Sequence, residues 1–133
     1  LLSSDAVSKI VGFTVKPPVA AGTGPVVLCT FTPQDLASGS AVGAVVIRKE
    51  TQVTAASFAA ARKVLEAGAQ ATTDLPGIGD EAYASTYGAG TFGADTVVVR
   101  KGTSDVLVTL SGGNVTLDKA KALALLAITS FGL

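Results

Sequence analysis

The stretch Asp95-Thr96-Val97-Val98-Val99-Arg100-Lys101-Gly102-Thr103-Ser104-Asp105-Val106-Leu107-Val108-Thr109-Leu110-Ser111 decides the fold. Two β-branched, apolar runs face each other across Gly102-Thr103-Ser104. Short runs of this composition separated by a Gly-containing break read as a tight hairpin, with strands over Asp95 to Lys101 and Asp105 to Ser111. An earlier segment, Val45-Val46-Ile47-Arg48-Lys49, matches Val97-Val98-Val99-Arg100-Lys101 at a constant offset. Each follows a helical stretch and another strand. The chain therefore reads as two α-β-β pseudo-repeats that share one sheet.

Outward from that hairpin the remaining elements follow. Ser3-Ser4-Asp5 supplies a cap and an acidic first turn for a short helix from Ala6 to Val11, stopped by Gly12. Lys16-Pro17-Pro18 through Gly22-Thr23-Gly24-Pro25 reads as loop, because Pro and Gly break both periodicities. Val26 to Thr32 is a strand, Pro33 to Ser40 a polar connection, and Ala41 to Glu50 a second strand. Its Val45-Val46-Ile47 run points to burial on both faces. Thr54 caps a helix from Ala55 to about Ala69. Phe58, Ala61, Leu65 and Ala69 share one face beside Val64, and Arg62, Lys63 and Glu66 are expected toward solvent. Thr72 to Asp80 reads as a turn-rich loop, Glu81 to Tyr87 as a strand and Gly88 to Ala94 as a turn. Leu117 to about Phe131 is a closing helix, so apolar around its surface that deep packing is expected. The order is α-β-β-α-β-β-β-α. The fold class is α+β, a single mostly antiparallel sheet with helices packed against it, in one domain spanning residues 1–133.

Composition narrows the function. Apolar residues make up 48% and charged residues only 15%, which excludes a disordered chain and leaves a surface rich in Ala, Gly, Ser and Thr. Such a surface tolerates close contact with a partner or with copies of itself. Ten Lys and Arg balance ten Asp and Glu, so no overall field draws nucleic acid or an acidic membrane. The aromatic residues form no stacking series for single strands. The sequence contains no Met and starts at Leu1, which suggests processing. A signal peptide or lipoprotein anchor upstream of Leu1 is the expected missing piece, and a lipid anchor there would be the chain's link to a membrane. The longest apolar run, Ala120 to Leu133, includes Lys121 and is shorter than the ~20 residues of a span.

Few residues offer chemistry. Without His, neither a Ser-His-Asp triad nor a His-containing zinc site can form. Cys29 is the lone cysteine, so it makes no intrachain disulfide or thiolate cluster. It sits in an apolar strand with no adjacent basic residue to activate it, and is expected to be buried and inert. Gly88-Ala89-Gly90-Thr91-Phe92-Gly93 fits G-x-G-x-x-G. A strand rather than a helix follows it, so it reads as a hairpin loop and not as a dinucleotide fingerprint. Asp80 and Glu81 are adjacent carboxylates expected on opposite sides of a strand start, with Asp80 bonding its own Gly-rich turn. Asp74, Asp80, Asp95 and Asp105 lack EF-hand spacing. Asn114-Val115-Thr116 fits a glycosylation sequon but reads as a turn leading into a helix cap. Arg48, Lys49, Arg100 and Lys101 close equivalent strands. If they converge, their donors could hold a small anion or dock an acidic partner.

One segment carries a family likeness. Leu75-Pro76-Gly77-Ile78-Gly79-Asp80-Glu81-Ala82-Tyr83, followed by Val97-Val98-Val99-Arg100-Lys101-Gly102 and Val106-Leu107-Val108, resembles small exported proteins and lipoproteins of actinobacteria, known only as domains of unknown function. In these, a "lGdeA" turn precedes a strand and a "vrkGd" hairpin leads to another. Val27-Leu28-Cys29-Thr30-Phe31 is similar to their early Cys-aromatic strand. The likeness covers the last two thirds of the chain. A single Cys departs from the disulfide sometimes found in that family. The resemblance implies an exported, non-catalytic domain and brings no catalytic residue with it. The expectation is a secreted or cell-envelope binding domain, not an enzyme, using no cofactor or metal, with an unidentified protein or small ligand as partner. A structural protein that packs copies of itself is the alternative.

Overall fold

The computed structural model describes residues 2–34, 44–68, 70–87, 93–112 and 116–133. These form α1 (Ser4–Val11), β1 (Val19–Ala21), β2 (Val26–Phe31), β3 (Val45–Thr51), α2 (Ala55–Ala67), β4 (Thr72–Asp74), β5 (Glu81–Tyr87), β6 (Ala94–Lys101), β7 (Ser104–Ser111) and α3 (Leu117–Ser130). All seven strands join one antiparallel sheet in the order β1-β2-β3-β7-β6-β5-β4. The α+β reading stands, with two additions. β1 and β4 lie in stretches that read as loop. Each is three residues long and sits at a sheet edge, too short to show alternation. The start of β3 at residues 41–43, the 35–40 connection, the turn at 88–92, Ala69 and the sequon's Asn114 fall outside the described residues.

Local chemistry sets each helix. Ser3 accepts a hydrogen bond from the Ala6 N–H (3.2 Å), and Gly12 ends α1 in the left-handed conformation (φ 85°). Thr54 and Ser57 form a reciprocal capping box for α2. Thr116 caps α3 by accepting from the Lys119 N–H (3.3 Å). Lys119 also donates from Nζ to the Val11 carbonyl (3.0 Å), tying α3 to the end of α1.

Alternation along the strands gives the sheet two faces. Cys29, Phe31, Val45, Ile47, Ala82, Ala84, Val97, Val99, Val106, Val108 and Leu110 meet α1 and α3 on one face. Phe31, Ile47, Leu110 and Leu123 are fully buried there. Each contributes ~1.5–3 kcal/mol relative to an exposed side chain. α3 buries one stripe, Ala120, Leu123, Ala124, Ala127 and Ile128, and leaves Leu125 half-exposed, so its apolar surface is not covered all round. On the other face the cluster is smaller: Val53, Phe58, Tyr83 and Val98, with Leu65 and Leu107 at its margin. Phe58 is the buried residue of α2, whereas Ala61 and Val64 are exposed. In β3, Val45 and Ile47 are fully buried but Val46 only half so, because its face carries the smaller cluster.

A helix followed by three strands occurs on each side of β7, and the two helices pack on opposite faces. An axis along β7 would relate them in this way. The Val-Val-Ile-Arg-Lys likeness does not follow that axis. Val45 and Val97 both lie on the α1–α3 face, opposite Leu110 and Val108 of β7. The likeness reflects what a buried strand ending at a charged rim requires.

Candidate functional site

The turn that precedes β5 is fixed by backbone geometry. Leu75 donates its N–H to the Ala82 carbonyl (3.0 Å), closing a loop over Pro76-Gly77-Ile78-Gly79-Asp80. Gly79 has φ +59°, and a Cβ there would lie 2.5 Å from Val99 Cγ1 and 2.7 Å from the Arg100 carbonyl oxygen. Only glycine lets the loop approach β6 this closely.

The carboxylates that follow lock this loop to the β6–β7 hairpin. Asp80 donates its N–H to the Arg100 carbonyl (2.9 Å), while its Oδ2 accepts from the Gly102 N–H (2.7 Å). Arg100 Nε donates to Glu81 Oε2 (2.7 Å), and its Nη1 donates to the Gly102 carbonyl (2.9 Å). The lead-in to α2 grips the same turn, through a hydrogen bond from the Val53 N–H to the Thr103 carbonyl (2.9 Å). Asp80 therefore serves a different turn from its own. Asp80 and Glu81 also converge on one arginine, with Asp80 Oδ2 at 3.7 Å from Arg100 Nη1. Asp80 precedes the strand, so strict alternation does not govern it.

From above, α2 adds Arg62. It does not point to solvent: its guanidinium lies 5.1 Å from the Tyr83 ring centre and donates to Asp74, to Thr72 (2.8 Å) and to Glu66 (3.2 Å). The Asp74 hydrogen bond is the main cause holding its pKa above the ordinary arginine value. Phe58 meets Tyr83 at a tilted 5.3 Å. Between α2 and the 75–80 loop lies an open cavity of about 490 Å³. Its apolar walls come from Phe58, Ala59, Leu75, Pro76, Ile78 and Ala82, and its charges from Arg62, Asp74, Asp80 and Glu81.

The four basic residues singled out in the sequence separate across the sheet. β3 and β6 both run antiparallel to β7, so their ends share one rim. Arg48 and Arg100 project to the α2 face, as neighbours in register of Leu107 and Asp105. Lys49 and Lys101 take the other face, with Lys49 Nζ over the Phe131 ring at 5.3 Å. Both arginines face carboxylates rather than a vacant anion site. Arg48 lies 3.6 Å from Glu50 and 3.9 Å from Asp105.

Nothing in the chain around Asp105 marks it out beyond its poor metal spacing. It is buried at the start of β7, and neither its Oδ1 nor Arg48 Nε has a hydrogen-bond partner among the described residues. Burial pushes the Asp105 carboxyl above its ordinary pKa, opposed by Arg48 and reinforced by Glu50. The Tyr83 phenol is raised chiefly by burial and then by Asp105. Burial likewise raises Asp95. Cys29 is buried in β2 opposite Ile47. Gly93 is followed directly by β6, so a strand and not a helix succeeds the glycine-rich segment.

Comparison with known protein families, curated proteins and solved structures finds no match.

Proposed function

We propose that this chain is a non-catalytic binding domain, exported to the cell surface or medium, which takes a small ligand or a short partner segment in the cavity between α2 and the 75–80 loop. The observation that carries this reading is the cavity itself. Its volume of about 490 Å³ falls in the range of ligand sites, and it combines apolar walls with a few converging polar groups. A chain without His, whose lone Cys is buried in the sheet, supports binding over catalysis. The resemblance of the Leu75–Tyr83 motif to exported actinobacterial proteins supports export, and that motif supplies most of the cavity wall.

The test is a screen of small-molecule fragments against the ¹⁵N-labelled protein by NMR. Amide shifts concentrated at Phe58–Arg62 and Asp74–Ala82 are expected. Replacing exposed Ala59 with Trp would fill the cavity mouth and should abolish those shifts while leaving the melting temperature within a few degrees. Fragments that bind elsewhere, unaffected by A59W, would remove the cavity from the proposal.

A further inference from the structure

Resting on that cavity as the binding site, we infer that its ligand carries a positively charged amine or guanidinium group next to an apolar body. This reverses the anion preference that the Arg-Lys pairs suggest in the sequence. The cavity lining holds three carboxylates and one guanidinium. Arg100, adjoining it through Asp80 and Glu81, makes the balance three to two.

Exposure decides which sign a ligand meets. The Arg62 and Arg100 side chains are 27% and 15% exposed, whereas Asp74, Asp80 and Glu81 are 79%, 50% and 44% exposed. The cations are the less exposed partners, with donors taken up by these carboxylates, by Glu66 and Thr72 and by the Gly102 carbonyl, and the carboxylates form the rim. Each of those carboxylates spends one oxygen on the protein. Asp74 Oδ1 accepts from Arg62, Asp80 Oδ2 from Gly102 and Glu81 Oε2 from Arg100. The second oxygen of each takes no hydrogen bond from the described residues. Acceptor capacity is thus held in place by the first oxygen and free at the second, which suits a donor-rich cation. Ala59, Pro76 and Ile78 provide the accessible apolar surface against which the rest of such a ligand would lie, Phe58 and Leu75 being buried.

Three probes with one body and different heads test this at pH 7: 3-phenylpropylamine, 3-phenylpropanol and 3-phenylpropionate, titrated into the ¹⁵N-labelled protein. The amine should shift the amides of residues 58–62 and 74–82 and bind at least about tenfold more tightly than the carboxylate, with the alcohol between. Its affinity should fall as salt is raised. In D74N, which retains the apolar wall, the amine's advantage should shrink to about threefold or less. If the alcohol or the carboxylate binds the same amides as tightly as the amine, the charge inference is wrong while the cavity remains the binding site. If none of the three moves these amides, the cavity reading falls as well.

Discussion

The two halves of the sheet that flank β7 end in nearly the same residues and treat them differently. On the β4–β6 side, Arg100 is held by Glu81, Asp80 and the Gly102 carbonyl at 2.7–3.7 Å. On the β1–β3 side, Arg48 has, among the described residues, ion pairs at 3.6 and 3.9 Å and an unpartnered Nε. The strands match, so the difference lies in what reaches them. Gly79 brings a loop close against Val99 and Arg100, and that loop carries Asp80 and Glu81. The β3 end has Glu50 from its own strand and Asp105 from β7. Of these two strand ends, the one to which a close-packed turn delivers partners is the one held by short hydrogen bonds.

The largest test of this contrast compares two glycines. Both Gly79 and Gly24 have positive φ, but a Cβ at Gly24 meets nothing within 4 Å. Gly79→Ala should cost roughly 3 kcal/mol, combining the left-handed strain with a clash against backbone. Gly24→Ala should cost about 1 kcal/mol from strain alone. Urea midpoints would show the difference, and equal losses would mean that the 75–80 loop is not locked to β6.

A smaller effect is expected from the carboxylates. Asp80→Ala removes the hydrogen bond to Gly102 and should cost about 1–2 kcal/mol. Glu50→Ala, which loses a half-exposed pair at 3.6 Å, should cost at most about 0.5 kcal/mol. Amide exchange at Gly102 sharpens the comparison: it should accelerate in D80A and stay unchanged in E50A.

Asp105 gives a modest effect and a distinctive pH dependence. Its pKa is raised on folding, so its favourable contribution is complete below the unfolded value. That contribution is lost as pH rises through the folded value. Asp105→Asn should therefore flatten the decline in melting temperature from mildly acidic toward neutral pH. The gain at pH 7 should be on the order of 1 kcal/mol or less. A variant less stable than the parent at pH 7 would show that the Arg48 pairing outweighs the burial cost.

Local interactions were legible in the chain. Ser3, Thr54 and Gly12 mark helix ends because caps act within four residues. The β6–β7 hairpin follows from two β-branched runs and a Gly-Thr turn. Cys29 lies in the core because its strand alternates toward it. The Asp80-Glu81 pair was visible too, but not its purpose, since the partners Arg100 and Gly102 are about twenty residues away in the chain.

Neighbours along the chain set the three helices, the five longer strands and the tight hairpin, while the buried faces of α2 and α3 are narrower than their sequences indicate. Tertiary structure alone decided that α2 lies on the opposite face from α1 and α3, and that β1 and β4 become edges. It also turned Arg62 down onto Tyr83, put both arginines of the Arg-Lys pairs on the α2 face and both lysines on the other, and buried Asp105 beside an incompletely bonded arginine. The physical reason is pairing register. Moving a strand by one residue exchanges its faces, and that choice is made by contacts between segments distant in sequence, which leave no mark on local composition.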